Sequence, residues 1–456
     1  MREGSEFIES KPSKVLIVTH FDTDGLASAS ILTTALKDKG LKTRLIVKQN
    51  LDDDFIKELS ESEEEHIILT DIGATKEDEL ADLNKKIIIL DHHKPSRSDK
   101  NILSRSDKNI SLKHLNPFLE GLEEQNTISG SGVTYFFTLG MSTENKKLAY
   151  LAVLGALGDT QEKNGFKELN DMILQHAVLQ KTIVVEKQLK LFGLNSRPLN
   201  KVLEYSTDLM IPGVTNNPEG VERLLKELNI KTYHNNYSRK YFNLWPDEKE
   251  RLTKKILELK KDLPEKEIMV SHYTLVNERK RSFKDLKEYA TIINACGRLG
   301  DYETALKAMA GDYGAQDKAI NNLRYYKRLI RDALQEVDSL RTQNDSRYFH
   351  DKQLVIIDLE NKIMYSIAGI IASILARNKI YERGTVICTL ADETPDTIKI
   401  SLRIGGDSPD KNLQDILQKI LEPMGLSSGG HKNAAGTIIP KNKKDLFIDR
   451  LKEFVS

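Results

Sequence analysis

Cysteine is nearly absent from this chain: Cys296 and Cys388 are the only two in 456 residues. That excludes a disulfide framework and a multi-cysteine metal site, and it fits a reducing cytoplasm. The two thiols read as packed side chains. No apolar run approaches the roughly 18 residues of a membrane span. The first residues, MREGSEFIESKPSK, lack the apolar core of a signal peptide. Net charge is missing too, with 68 Lys and Arg against 68 Asp and Glu. Nucleic-acid proteins are ordinarily read from a basic surplus, but the even total is unevenly placed. Residues 1–95 hold 13 basic and 20 acidic side chains, and the remainder holds 55 and 48. What is present is a folded composition, 39% apolar and 30% charged. At about 100–200 residues per domain its length suggests two to four domains.

The N-terminal part alternates strand and helix. VLIVT (15–19), 43–47, HIILT (66–70) and IIIL (87–90) are short apolar strands, and 26–36 is a small-residue helix stopped by Gly40. Residues 60–65 read as an acidic surface stretch. Strands separated by helix-length segments predict an α/β fold with a parallel sheet and helices on both faces. Residues 96–111 are a near-exact tandem copy, SRSDKNIL then SRSDKNIS, which reads as a lengthened surface loop or as a mobile lid. Residues 148–158 read as a buried helix. Residues 180–345 read as mostly helical, with a break around 197–218, and 318–341 form a basic amphipathic helix. A second α/β pattern spans 350–456 and ends in SSGGHKNAAG. The expected domains are 1–180, a helical insertion and connector at 181–349, and 350–456.

Chemistry gathers at segment ends. His20-Phe21-Asp22-Thr23-Asp24-Gly25 follows the first strand, Asp71 the third, Asp91-His92-His93 the fourth, and Asp159 the buried helix. In open parallel sheets this edge collects ligands. Any one piece alone is as well explained by a helix cap or a turn. Together they predict a dinuclear metal site, because clustered carboxylates repel and are costly to bury unless cations neutralise them. A mixed Asp and His donor set favours Mn²⁺, with Mg²⁺ the alternative. No Ser–His or Cys–His nucleophile stands out.

This order of motifs resembles the DHH phosphoesterase family, and the resemblance covers nearly the whole chain. Ser129-Gly130-Ser131-Gly132-Val133, Asn294-Ala295-Cys296-Gly297-Arg298, and Gly429-Gly430-His431 with Ala434-Ala435-Gly436 extend it. Within the family the chain is similar to archaeal RecJ-like exonucleases, including the GINS-associated nuclease, through GALGDTQE, LFGLNSRPLNKVLEYSTDLMIPGVT and NACGRLG. That group is related to a eukaryotic replisome factor that joins GINS and the MCM helicase and has lost most of its metal ligands; here they are all present. The resemblance implies one ion on Asp22 and Asp71, with His20, and a second on Asp24, Asp71, His92 and Asp159. It implies that Asp91 supports the site or touches a metal directly, and that His93 faces the scissile phosphate or the leaving oxygen. It also implies substrate contacts from Arg298, Ser401, Arg403, Gly429, Gly430 and His431. One departure is the stretch Ile400-Ser401-Leu402-Arg403-Ile404, where the flanking small residues of the family differ.

The expected function is therefore a metal-dependent exonuclease on single-stranded nucleic acid, 5′→3′ on DNA in replication or repair, with the strand end entering between the two α/β domains. The alternatives are a 3′→5′ exonuclease on RNA or short oligonucleotides, and a replisome adaptor that binds GINS, with 190–260 as the docking part. The basic helix, with Arg324, Lys327, Arg328 and Arg331, would line a strand groove where Tyr325 and Tyr326 stack on bases, or would be a plain connector.

Overall fold

Near-continuous apolar strands form where both faces of a sheet are covered, and the N-terminal runs do this. In the computed structural model, which describes residues 2–455 apart from 11, 96–111, 123–126, 163–164, 207, 235–236, 378–379, 407–410 and 427, these runs build a five-stranded sheet. The duplicated stretch 96–111 lies outside the described residues. The strands are β1 (Lys14–His20), β2 (Lys42–Lys48), β3 (His66–Thr70), β4 (Lys86–Leu90) and β5 (Leu112–Leu115). All pairs are parallel and the order is β2-β1-β3-β4-β5. The order reverses between β1 and β3, so the crevice of this fold opens at their carboxyl ends. Leu16, Val18, Ile67, Leu69, Ile87 and Ile89 bury one face against the helix Asp53–Glu61. Helix α1 (Arg2–Glu9) precedes the sheet, and helix α2 (Thr23–Asp38), whose buried residues include Leu26, Ile31 and Leu32, follows directly from β1.

The strand β5 has four residues and no alternation, which is why the sequence pattern does not announce it. The middle region is less uniformly helical than its charge suggests. Ile183–Leu189 pairs antiparallel with Met269–Leu275, in register from Ile183 opposite Leu275 to Leu189 opposite Met269. Their partners lie some 80 residues apart, beyond the reach of local periodicity. Between them Leu199, Leu203, Leu224, Leu252 and Ile256 bury a core of their own.

The chain divides into two compact units, residues 1–320 and 321–456. The second is a six-stranded mixed sheet built on Leu354–Asp358, Val386–Asp392 and Thr397–Ile404. The helix Tyr313–Thr342 contributes Ala333, Val337 and Leu340 to the core of that unit, with Ile357 and Ile371. Tyr326 packs against the same cluster, so its ring is not a free stacking face, whereas Tyr325 is half exposed. Cys296 and Cys388 are both buried. Among the described residues no helix is long and apolar enough to cross a membrane.

The acidic stretch 60–65 is not wholly surface. Glu64 is buried, with Arg44 donating to it at 2.9 and 3.0 Å and Lys14 at 2.8 Å. The hydrogen bonds from Arg44 hold its carboxyl at about 2, against an ordinary value near 4.5. Because the folded value is depressed, this stabilisation is full above the ordinary value and is lost as pH falls towards about 2. Glu64→Gln should lower unfolding free energy by about 1–2 kcal/mol at pH 7, a modest figure because both cations are partly exposed. The difference should shrink in urea melts at pH 2.5, and equal midpoints at pH 7 would remove Glu64 from this role.

Candidate metal centre

Each functional side chain is placed by a strand end or a helix start. Asp22 is the N-cap of α2 and accepts from the Gly25 amide at 3.1 Å. Asp24 lies in the first turn of α2, almost fully buried. Its carboxylate accepts from the amides of Gly130 at 2.7 Å and Ser131 at 3.0 Å, the first residues of the helix Gly130–Met141. A helix N-terminus favours an anion there. This gives the Ser-Gly-Ser-Gly turn its physical reason. A Cβ on Gly130 would lie 2.5 Å from Asp71 Oδ1, and one on Gly155 would lie 2.4 Å from Asp24 Oδ1. Only glycine lets both helices come so close to the carboxylates.

Asp71 ends β3 in the left-handed region, with φ of 58°. A non-glycine residue there is strained. The Asp71 amide donates to Leu90 O at 2.8 Å. From this position Asp71 Oδ1 lies 3.3 Å from His92 Nε2 and Oδ2 lies 3.5 Å from His20 Nδ1. His92 Nε2 is also 3.7 Å from both Asp24 Oδ2 and Asp159 Oδ2. Three sets of donors each fall within 4.8 Å: His20, Asp22 and Asp71; Asp24, His92 and Asp159; and Asp71, His92 and His93. These residues could hold a divalent cation.

The fit to a cation rests on orphaned atoms. Both carboxylate oxygens of Asp71, His20 Nδ1 and His92 Nε2 are buried without a hydrogen-bond partner. They face one another at ion-pair distances without hydrogen-bond geometry, an arrangement that only a shared cation satisfies well. The proton affinities tell the same story. Burial, then the charge of Asp71, pushes Asp24 up to about 8. Burial alone would lower His92, yet the nearby carboxylate of Asp71, with those of Asp159 and Asp24, lifts it to about 10. His20 is likewise raised, by Asp22 and Asp71 against burial.

Asp91 is different. Its Oδ2 accepts from the Ala74 amide at 2.9 Å, and its Oδ1 accepts from the amides of His92 and His93 at 2.8 and 3.1 Å. His93 Nδ1 lies 2.8 Å from the same oxygen. These groups together outweigh burial and hold its pKa low. In return the hydrogen bond to Asp91 raises His93 to about 9. The His93 side chain is 42% exposed, so its outer edge faces solvent.

Arg298 sits with its guanidinium 4.9 Å from the Phe21 ring centroid, beside the loop that carries Asp22. Asn294, from the same helix, accepts from the Thr23 amide at 3.0 Å, and Thr23 Oγ1 donates to Ala290 O at 3.0 Å. The Asn-Ala-x-Gly-Arg element therefore clamps the start of α2. His20, Asp22, Asp24, Asp71, Asp91, His92, His93, Asp159 and Arg298 all belong to the first unit; Ser401, Arg403, Gly429, Gly430 and His431 belong to the second. There Arg403 Nε donates to Ser373 Oγ at 2.9 Å, and Ser401 is buried opposite Gly436. Gly429, Gly430 and His431 form a short strand, in which a Cβ on Gly430 would lie 2.3 Å from Ala434 O.

Two residues escaped the sequence reading. Gln161 is buried; its Nε2 donates to Asp159 Oδ2 at 2.8 Å and faces His92 Nδ1 at 3.2 Å. Asn170 Nδ2 donates to Gln161 Oε1 at 2.6 Å and fixes which way that amide points. A buried amide two residues after an acidic ligand candidate was the available signal.

Against known proteins, residues 14–157 match the DHH family, N-terminal domain; residues 191–269 match the DHH-CID domain, where the sequence shows no chemical motif; and residues 351–456 match the DHHA1 domain. The chain carries DHH and DHHA1 domains. An uncharacterized protein of Methanocaldococcus jannaschii is 25% identical over 97% of this chain and 93% of its own length. Thermus thermophilus RecJ, solved with Mn²⁺, has a similar fold (TM-score 0.58, 17% identity, 99% of this chain). This chain spans 54% of that RecJ chain, about half its length. CDC45 from Entamoeba histolytica superposes with TM-score 0.65 at 12% identity, over 99% of this chain and 98% of its own.

Gln161→Leu should weaken Mn²⁺ binding about 10–100-fold, the usual cost of removing the support behind a metal ligand. Calorimetric titration would measure it, together with a smaller Mn²⁺-induced rise in melting temperature. An unchanged dissociation constant would detach Gln161 from the centre.

Proposed function

We propose that this chain, carrying DHH and DHHA1 domains, is a metal-dependent phosphodiesterase that shortens single-stranded nucleic acid from an end. The favoured substrate and direction are DNA and 5′→3′, in replication or repair. The observation that carries this reading is the convergence of Asp22, Asp24, Asp71 and Asp159 with His20 and His92 around orphaned buried oxygens and nitrogens. Two ions would be held, one by His20, Asp22 and Asp71 and one by Asp24, Asp71, His92 and Asp159, with Mn²⁺ favoured over Mg²⁺. When bound, such ions supply a nucleophile at neutral pH and stabilise charge on both oxygens of an in-line displacement.

The chain's own residues do the rest. Asp71, shared between the two sets, fixes their separation through its strained backbone. Asp91 orients His93 and keeps it protonated, so that its exposed edge presents a proton to the leaving oxygen. Arg298, seated on Phe21, binds a non-bridging phosphate oxygen. Ser401, Arg403, Gly429, Gly430 and His431 are proposed as contacts to neighbouring phosphates, with backbone amides approaching at the glycines.

A second reading is a replisome adaptor that binds GINS, with nuclease activity secondary. It is favoured by the match to CDC45 along nearly that protein's whole length. A GINS pull-down, repeated with a chain lacking 190–260, tests it.

End-labelled DNA and RNA strands incubated with Mn²⁺ test the main reading. Mononucleotide should appear first from a 5′ label on DNA; first release from a 3′ label with RNA preferred would install the opposite polarity and sugar. Asp71→Ala should lower turnover by at least 10³-fold, since it removes the shared donor and leaves the other carboxylates repelling. Turnover near wild type in that variant would overturn the dinuclear assignment.

A further inference from the structure

Several cations in the middle of the first unit are paired. Arg239 with Glu248, Arg251 with Asp247, Lys254 with Glu250, Lys255 with Glu227, Lys260 with Asp262, Lys280 with Asp317 and Lys287 with Glu162 each lie at or below 2.9 Å. Four others are distinguished by where they lie. Among the described residues Lys240, Arg279, Arg281 and Lys284 have no carboxylate within 4.0 Å. Phe242 brings two of them together. Arg281 lies over the Phe242 ring, its guanidinium carbon 3.4 Å from the centroid, and Phe242 is two residues after Lys240. Arg279 and Lys284 flank Arg281 in sequence, and Phe242 is partly exposed.

Like charges held together without a counter-ion are unfavourable unless an anion completes them. Burial, and then the charge of Arg281, pushes the Lys240 ammonium below its ordinary value, with only a longer-range offset from Glu288. The stacked Arg281 is held flat, ready for bidentate hydrogen bonds to a phosphate. The patch lies at the start of the helix Leu286–Arg298, whose far end carries Arg298. Thirteen residues of helix span about 20 Å. One rigid element therefore ties the patch to the metal centre.

We propose that Lys240 and Arg281, with Arg279 and Lys284 around them, form a second phosphate-binding site that holds the backbone of a single strand away from the end being cleaved. The inference rests on the nuclease reading for the identity of its ligand. It makes the site a length sensor. A trinucleotide, at about 3.4 Å per nucleotide when stacked, occupies the metal centre without reaching the patch, whereas a 20-mer engages both.

The test compares wild type with the Lys240→Gln/Arg281→Gln double variant and with a Lys254→Gln/Lys255→Gln control that removes two paired cations of the same region. Affinity of a fluorescent 20-mer oligodeoxynucleotide is measured from 50 to 200 mM salt with Ca²⁺ in place of Mn²⁺, and trinucleotide hydrolysis is measured with Mn²⁺. Expected for the double variant are a tenfold or greater loss of 20-mer affinity and a salt slope smaller by about 1.4, two contacts at about 0.7 each for single strands. Its trinucleotide kcat/KM should stay within twofold of wild type, and the control should match wild type throughout. An unchanged 20-mer slope, an equal loss in the control, or a parallel loss of trinucleotide turnover overturns the proposal. So does undiminished 20-mer binding with lost binding to polyglutamate, which would assign the patch to an acidic protein partner. If wild type hydrolyses nothing, the nuclease reading fails by itself, and the affinity and slope still decide this one.

Discussion

Mutual repulsion among buried carboxylates is the constraint around which the first unit is arranged. Asp22, Asp24, Asp71 and Asp159 come from three separate segments, yet their oxygens meet with the nitrogens of His20 and His92 over a few ångströms. Such a cluster is stable only if charge of the opposite sign enters it. Several features serve that end. The strand order turns at β1 and β3, so the crevice opens where His20, Asp22, Asp24 and Asp71 emerge. The helix Gly130–Met141 aims its first amides at Asp24. Asp71 accepts a left-handed backbone so that both its oxygens face inward.

The carboxylates divide into two kinds by what already satisfies them. Asp91 accepts three amide hydrogens and lies against His93 Nδ1, so most of its capacity is spent on its neighbours. Asp71 has both oxygens without a partner. The first is built to position a neighbour, the second to bind. Asp24 stands between them, held by two amides and still pushed up by burial and Asp71. Farther out, Arg281 lies over the Phe242 ring without a carboxylate within 4.0 Å.

Much of this was legible beforehand because it is local. Strand ends carrying Asp and His, a glycine where two elements touch, and apolar runs of strand length are all written in neighbouring residues. Glu64, Gln161 and the strand Ile183–Leu189 were not legible, for one shared reason. Glu64 looks like one more surface acid until Lys14 and Arg44 arrive from two other strands. Gln161 gains meaning only through Asn170 and His92. Ile183–Leu189 becomes a strand by pairing with residues some 80 positions away. In that middle region charge density suggested helix, although the β-branched run Thr182-Ile183-Val184-Val185 pointed the other way.

Sequence alone determined the kind of fold and the donor chemistry, since side-chain identity and hydrophobic period are properties of the chain itself. It also placed Asp22, Asp24, Asp71, His92 and Asp159 at segment ends. Tertiary structure decided which donors share a group and which are spent on backbone amides. It also decided which acids are buried and which cations go unpaired, because each depends on distances between residues far apart in the chain. Those distances follow from the strand order and from close helix approach at Gly130 and Gly155, which no local window of sequence contains.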